Sequence, residues 1–444
     1  MTDSIQQLIA LSNEADPYSL AWAELEPLWV DAIDRRFQEC RTKIRVLDQL
    51  AEKAGIKAVR KLSDVVPLLF AHTAYKSYPE AFIEKNRWDR MNAWLGTLSK
   101  YPVEGVNLEG VQDADEWIKR LHAAGHYVFA TSGTSGKNSF INQSLSDVEF
   151  SNKMLFPVGA KQDRSLPIFV LGPRKAPNRA SAAFNNMVEK CGLPGSVYFL
   201  SDDEMRITDL SRMARLRKKI GEGTAAPSEI SAFEQATKTR AATGKEAMAR
   251  MTDLILRHRE APSIIVGLTP QLYQVMEVAR AQGLSDGCFH SGTIVLSGGG
   301  AKGFNLPPDH VEQIMKFMGL ELDRFTEGYA MQEVSIGSRM NEWGRYEFPG
   351  WTVPLLLDDA GEVLNENREG RVTGRMALFD VAIDGRWGGI ISGDRVVIDY
   401  GPSKSGRRSP AVLEITRYSE LQGGDDKLTC AGTIDSFVRG AADE

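Results

Sequence analysis

The sequence of 444 residues has few cysteines, no long apolar run and no excess of positive charge. Its four cysteines, Cys40, Cys191, Cys288 and Cys430, are far apart and form no CxxC pair, which argues against a disulfide framework or a cysteine zinc site. No stretch approaches the roughly 18 consecutive apolar residues of a transmembrane helix, and the N-terminus lacks a secretory signal pattern. The 53 Lys and Arg residues against 59 Asp and Glu argue against a nucleic-acid partner. These absences predict a soluble cytoplasmic protein without a membrane span.

The apolar pattern divides the chain into three predicted regions. Residues 1–125 are predicted to be helical, because apolar side chains such as Leu25 and Trp29 recur at three- and four-residue spacings. Residues 126–340 alternate short β-rich runs with helical stretches, which is typical of βαβ units around a parallel-rich sheet with flanking helices. In 341–444, strands punctuated by glycine predict an antiparallel β subdomain. The predicted fold class is α/β.

The most specific local signal is a Gly-rich segment that directly follows a predicted strand. It reads Thr131-Ser132-Gly133-Thr134-Ser135-Gly136-Lys137. Its two glycines allow tight turns, and its backbone N–H groups, hydroxyls and lysine ammonium could together surround a phosphate. It is not a Walker A motif, because only two residues separate the glycines and Asn138 follows the lysine. The segment therefore predicts an anion-binding loop rather than a flexible surface turn.

This loop resembles the phosphate loop of the adenylate-forming superfamily, which includes acyl- and aryl-CoA ligases, nonribosomal-peptide adenylation domains and luciferases. Further segments resemble motifs of the superfamily in the same order along the chain. They are the strand and helix at 262–273, the Gly-rich strand end at 293–301, the aromatic–Gly–x–Thr–Glu motif at 327–333, the Ser392-Gly393-Asp394 motif, and the hinge motif at 432–440. The resemblance covers 126–440, extends to ligases of the phenylacetate-CoA ligase type, and implies the large N-terminal-type domain of an adenylate-forming enzyme.

The resemblance implies ATP, Mg²⁺ and CoA as ligands. It implies Lys137, Gln332 and Glu333 as catalytic residues, with Glu333 also binding the metal. It places Tyr329 against the adenine and Asp394 against the ribose. The implied nucleotide-binding residues are Thr131, Ser132, Gly133, Thr134, Ser135, Gly136, Lys137, Gly299, Gly300, Ala301, Glu327, Gly328, Tyr329, Asp394 and Arg439.

Several positions depart from the superfamily pattern. Ala330 stands where Gly is usual, Gln332 where Thr is usual, and Thr433 where the hinge motif usually has Arg. We expect the mobile C-terminal domain that carries a catalytic lysine in the superfamily to be missing after the hinge motif. We therefore expect Lys137 or Lys302 to substitute, a partner chain to supply the group, or adenylation to be inefficient.

The leading functional prediction is ATP-dependent activation of an aromatic or hydrophobic carboxylic acid to an acyl-adenylate, followed by transfer to a thiol, with CoA as the first choice. One alternative is transfer through Cys430, because the sequence is similar to luminescence acyl-protein synthetases in its short C-terminal end. An isolated Cys in a strand-like run is, however, more typical of a small buried hydrophobe. The other alternative is a non-adenylating nucleotide-binding subunit that needs a partner chain. The implied partners are the acid and CoA or a carrier protein, and a homodimer is left open.

Overall fold

The computed structural model describes residues 3–131, 137–156, 160–299, 304–335, 338–341, 344–364, 369–402 and 409–421. The helices in these ranges are α1 (Ser4–Ala10), α2 (Trp22–Cys40), α3 (Arg45–Ala54), α4 (Glu80–Glu84), α5 (Trp88–Gly96), α6 (Ala114–Ala123), α7 (Leu145–Met154), α8 (Arg179–Cys191), α9 (Ile207–Gly221), α10 (Pro227–Arg257), α11 (Thr269–Ala281) and α12 (His310–Met318). Short 3₁₀ helices add Leu11–Asn13, Leu62–Leu68, His72–Lys76 and Tyr418–Glu420.

The strands are β1 (Phe70–Ala71), β2 (Tyr127–Ala130), β3 (Phe140–Gln143), β4 (Leu166–Lys175), β5 (Gly192–Glu204), β6 (Ile264–Leu268), β7 (Ile294–Gly298), β8 (Phe325–Thr326), β9 (Gly328–Tyr329), β10 (Ser338–Met340), β11 (Tyr346–Glu347), β12 (Thr352–Leu357), β13 (Arg371–Asp380), β14 (Gly389–Asp399) and β15 (Ala411–Arg417). No helix among the described residues is both long enough and apolar enough to cross a bilayer.

The chain divides into two compact units. Unit 1 consists of Met1–Thr131, Ser139–Ser151 and Met331–Glu444, and unit 2 consists of Ser132–Asn138 and Asn152–Ala330. The division into three consecutive regions stays a prediction.

Unit 2 is built on a parallel sheet in the order β5-β4-β6-β7-β8. The central strand β6 begins with Ile264, Ile265 and Val266, which are all buried, as expected of a parallel strand covered on both faces. Helices α8, α10 and α11 contact strands of this sheet. Helix α11 begins directly after β6, where Pro270 lies in the first turn and the Gln271 side chain accepts a hydrogen bond from the Leu268 N–H at 2.9 Å.

Unit 1 is built on an antiparallel sheet in the order β12-β13-β14-β15-β11-β10, with the short β1 parallel to β14. The predicted apolar stripe of the first region forms α2, whose Leu25, Trp29, Ile33 and Phe37 are buried. The α/β fold with a parallel sheet and an antiparallel β subdomain is therefore confirmed. The antiparallel sheet also takes in strands outside 341–444, namely β1 and β10.

Candidate functional site

The predicted anion-binding loop connects the two strands of the β2–β3 hairpin. These strands pair antiparallel, with Ala130 opposite Phe140. At the first end of the loop, the Thr131 N–H donates to the Ser139 carbonyl at 3.0 Å, and the Ser139 N–H donates to Thr131 Oγ1 at 3.1 Å. Thr131 thus closes the hairpin by its backbone and its hydroxyl.

The other end of the loop belongs to unit 2. Lys137 is half-buried, and the following Asn138 is buried. The Asn138 side-chain amide donates to Ser211 Oγ on α9 at 3.1 Å, which fixes the chain directly after the lysine. Ser132, Gly133, Thr134, Ser135 and Gly136 lie outside the described residues.

In unit 2, the predicted Gly-rich strand end and the first part of the 327–333 motif lie side by side. Strand β7 pairs parallel with β8, and a Cβ atom placed on Gly298 would lie 3.9 Å from the carbonyl oxygen of Gly328. Gly299 adopts φ +85°, a left-handed conformation that favours glycine at this position. Gly300, Ala301 and Lys302 lie outside the described residues.

Glu327 is the most unusual group at this end of the parallel sheet. Its side chain is only 3% exposed. Oε1 accepts a hydrogen bond from Thr269 Oγ1 at 3.3 Å, and Oε2 has no hydrogen-bond partner among the described residues. Burial raises the pKa of Glu327, while the charge of His310 and the Thr269 hydrogen bond oppose that rise. The structure therefore holds a buried carboxylate with an unused acceptor.

Two hydroxyls beside Glu327 were not among the predicted site residues. Thr269 is the first residue after β6, and Ser297 lies near the end of β7; their hydroxyl oxygens are 3.0 Å apart. Both lie within segments that resemble superfamily motifs. The parallel pairing of β6, β7 and β8 brings the ends of these strands together. Polar residues at the ends of neighbouring predicted strands are therefore the sequence signal that could have identified Thr269 and Ser297. Tyr329, on β9, is half-buried.

The last part of the 327–333 motif belongs to unit 1. Gln332 is half-buried and Glu333 is 8% exposed, both in a turn. The Glu333 carboxylate makes no hydrogen bond or salt bridge with a described residue. The backbone carbonyl of Glu333 accepts a hydrogen bond from Arg386 Nη2 at 2.6 Å.

The Glu333 carboxylate has the chemistry of the predicted Mg²⁺ ligand, because Mg²⁺ binds carboxylate oxygens. In nucleotide sites Mg²⁺ needs one or two carboxylates, because phosphate oxygens and water complete its shell. The described residues contain no cluster of three or more potential metal ligands, so an all-protein metal cage is not seen among them. The donor set present suits a cation that arrives with a polyphosphate.

The Ser392-Gly393-Asp394 segment forms a β-bulge in unit 1. Arg375 pairs with Arg395 and Ala377 with Ile391, so three residues of β14 lie opposite the single residue Met376 of β13. Ser392 Oγ donates to the Met376 carbonyl at 2.9 Å and accepts from the Asp394 N–H at 3.1 Å. Bulges redirect side chains and are common beside active sites. The half-buried Asp394 thus lies in the irregular part of β14.

The structure therefore brings Gly299, Glu327, Gly328 and Tyr329 together in unit 2, whereas Gln332, Glu333 and Asp394 belong to unit 1. Cys430, Thr433 and Arg439 lie outside the described residues, so the hinge motif stays a prediction.

Comparison with known proteins gives structural likeness without sequence likeness. No protein-family model and no curated sequence matches the chain. Crystal structures of 2-hydroxyisobutyryl-CoA ligase do match it. The open conformation with 2-HIB-AMP and CoA has a TM-score of 0.55 and 12% identity, over 91% of this chain and 72% of that one. The thioesterification state with the same ligands has a TM-score of 0.55 and 12% identity, over 90% and 70%.

A third structure, the postadenylation state with R3-HIB-AMP, has a TM-score of 0.51 and 12% identity, over 89% of this chain and 68% of that one. At this identity the likeness concerns the fold, and it agrees with the fold that the ordered motifs predict. The chain therefore shares the fold of these 2-hydroxyisobutyryl-CoA ligase structures.

Proposed function

We propose that the chain is an adenylate-forming acid–thiol ligase. It binds ATP and Mg²⁺, converts a carboxylic acid to an acyl-adenylate and transfers the acyl group to a thiol, in the first place CoA. The shared fold supports this proposal, since 2-hydroxyisobutyryl-CoA ligase was crystallised with an acyl-adenylate and CoA. The acid is proposed to be aromatic or otherwise hydrophobic, as the sequence predicts.

The observation that carries the proposal is the unused acceptor of Glu327. Ligands of open parallel α/β sheets bind beyond the carboxyl ends of the strands, which is where Glu327, Thr269 and Ser297 meet. Leaving a buried acceptor unpaired costs about 1–3 kcal/mol, and a donor on a ligand would remove that cost. We propose that the donor is an amino group of the nucleotide base.

In the proposed reaction, a carboxylate oxygen of the acid attacks the α-phosphorus of ATP. The bond from that phosphorus to the bridging oxygen of the β-phosphate breaks, and pyrophosphate leaves with the electron pair. The thiol then attacks the acyl carbonyl carbon, loses its proton and displaces AMP. Productive orientation of the two reactants can account for a large part of such a rate enhancement.

The proposed residue roles follow from the chemistry of each side chain. Lys137 neutralises the terminal phosphates, Asp394 accepts hydrogen bonds from the ribose, and Gln332 donates its amide to a phosphate oxygen. Glu333 holds Mg²⁺, which when bound shields the negative charge of the phosphate oxygens.

Exchange of labelled pyrophosphate into ATP tests the proposal directly. The purified chain is incubated with ATP, Mg²⁺ and a panel of aromatic and aliphatic carboxylic acids. We expect exchange that requires an acid and falls strongly in the Glu327→Met variant. Glu277→Met on α11 is the control, since Glu277 is an exposed carboxylate in the same unit.

No exchange from the folded wild-type chain with any acid would contradict the ligase proposal. Calorimetry on the same preparation then tests the remaining alternative, because ATP binding without exchange would indicate a nucleotide-binding subunit that depends on a partner.

A further inference from the structure

The connection between β13 and β14, residues 381–388, is largely buried within unit 1 and contains an arginine that contacts several other segments. Arg386, in this connection, is 1% exposed. Its guanidinium donates from Nη2 to the Glu333 carbonyl at 2.6 Å, and from Nη1 to the Tyr75 hydroxyl at 3.2 Å and the Trp387 carbonyl at 3.3 Å. Its charged group also lies 5.3 Å from the centre of the Tyr75 ring. One buried cation therefore contacts the backbone of the proposed metal ligand.

A second buried side chain, Asp380, holds the segment that contains Glu333 at Ser335, two residues after Glu333. Asp380 is fully buried at the end of β13. One of its oxygens accepts hydrogen bonds from the Ser335 N–H and the Ser335 hydroxyl, both at 2.6 Å. The other oxygen accepts from the Ala382 N–H at 3.0 Å. The main chain is thus held at the carbonyl of Glu333 and at the N–H of Ser335.

The Arg386 guanidinium donates to two backbone carbonyls and to the Tyr75 hydroxyl, and its charge also acts on the buried Asp380 carboxylate without touching it. Within the described ranges Arg386 forms no salt bridge, and its Nε has no hydrogen-bond partner. Burial of a guanidinium without an opposite charge in contact is costly, and general stabilisation of the fold does not require such an arrangement. The hydrogen bond to the Glu333 carbonyl fixes the turn from which the Glu333 carboxylate projects.

We propose that Arg386 is a positioning residue for the cation site at Glu333. It holds the Glu333 backbone so that the carboxylate, which has no hydrogen bond or salt bridge to a described residue, is oriented before the cation and its nucleotide bind. Tyr75 orients the guanidinium, and Asp380 fixes the end of the turn through Ser335. This inference rests on the proposed function, in which Glu333 binds Mg²⁺.

The same connection offers a matched control. Arg36 on α2 is also a buried arginine, 9% exposed, and its Nε donates to the Val381 carbonyl at 3.1 Å. It holds the 381–388 connection by a similar hydrogen bond, but none of its hydrogen bonds goes to Glu333. Arg36→Met and Arg386→Met therefore both remove a guanidinium that donates a hydrogen bond to this connection, and only the second removes the bond to Glu333.

The experiment combines hydrogen exchange, read by mass spectrometry on peptides that cover 331–335, with the Mg²⁺ dependence of ATP binding, read by calorimetry. Loss of a group that orients a metal ligand commonly costs about 10- to 100-fold in metal affinity. In Arg386→Met we expect faster exchange in 331–335 and a rise of about 10-fold or more in the Mg²⁺ concentration for half-maximal ATP binding. ATP affinity without Mg²⁺ should be unchanged.

The variants separate positioning from a general structural role. Arg36→Met should lower the melting temperature but leave the exchange in 331–335 and the Mg²⁺ concentration for half-maximal ATP binding unchanged. Arg386→Lys should need less Mg²⁺ for half-maximal ATP binding than Arg386→Met, because its ammonium can still donate to one acceptor. If Arg386→Met does not fold, Tyr75→Phe removes one guanidinium partner more gently and should show the same two effects at smaller size.

Each contrary outcome has its own meaning. Unchanged exchange in 331–335 of a folded Arg386→Met variant would overturn the positioning role. Faster exchange with unchanged Mg²⁺ dependence would overturn its connection to the cation. A wild-type chain that binds ATP without any effect of Mg²⁺ would refute the proposed function of Glu333, while the exchange data would still decide whether Arg386 holds the segment.

Discussion

Replacement of Glu327 by Met should stabilise the free protein and weaken its binding of ATP. The wild-type side chain is 3% exposed, and its Oε2 has no partner among the described residues. Met has a similar length and carries neither the charge nor the unpaired acceptor. Thr269 keeps its contact with Ser297 at 3.0 Å, so the substitution leaves that hydroxyl with a hydrogen-bond partner.

The expected gain in the free energy of unfolding is about 1–3 kcal/mol, the usual cost of an unpaired buried polar group. For a domain of 150–250 residues each kcal/mol corresponds to about 2–4 °C in melting temperature. Loss of one hydrogen bond to a charged acceptor should weaken ATP binding by about 10- to 100-fold. Opposite signs for stability and affinity are the signature of a binding group held at a cost to the fold.

The pH dependence of stability tests whether Glu327 destabilises the free protein. The pKa of Glu327 in the folded protein is raised above its unfolded value of about 4.3, mainly by burial. The cost of burying its charge is therefore absent below that unfolded value and is fully present once the pH has risen through the folded pKa. The difference in melting temperature between Glu327→Met and wild type should be largest near pH 7 and should shrink as the pH is lowered.

Calorimetry measures the melting temperatures and the ATP affinity of the same preparations. Glu347→Met is the control, since Glu347 is a buried carboxylate that accepts a hydrogen bond from Asn341 at 2.8 Å, and its loss should destabilise the protein. If Glu327→Met is destabilised as much as the control, or binds ATP as tightly as wild type, then Glu327 is a structural group and the reasoning fails.

Further substitutions test other parts of the structure. Gly319→Ala should be more destabilising than Gly55→Ala in urea unfolding. The two glycines have φ angles of +71° and +69°, and a left-handed conformation costs an alanine roughly 1–2 kcal/mol at either position. Only at Gly319 would the new Cβ also lie 2.9 Å from a backbone atom. Burial would raise the pKa of Asp384, but hydrogen bonds, led by the one from Lys100, hold this pKa below its ordinary value. Lys100→Met should therefore be less stable than wild type at pH 7. This difference in stability should disappear as the pH falls below about 3.9, because Asp384 then becomes protonated in both proteins. Burial raises the pKa of the Cys40 thiol to about 11, so a thiol reagent at pH 8 should leave Cys40 unlabelled until the protein unfolds, as peptide mapping would show.

The elements of the fold were predictable because their signals are local. The run of apolar and β-branched residues at 264–266 suits a strand covered on both faces, and it forms the centre of the parallel sheet. The apolar spacing around Leu25 and Trp29 places one face of α2 in the core. The glycine at 299 occurs where the backbone turns left-handed. Each of these features is set by neighbours within a few residues, so the pattern of the chain determines it.

The surroundings of the candidate site were decided only by tertiary structure. Thr269 and Ser297 meet Glu327 because three strand ends share one edge, and the bulge at Ser392-Gly393-Asp394 arises from the register of β13 against β14. Arg386 reaches the Glu333 carbonyl across 53 residues of sequence. Strand order, register and long-range hydrogen bonds depend on which distant surfaces bury one another, and local periodicity carries no information about that choice.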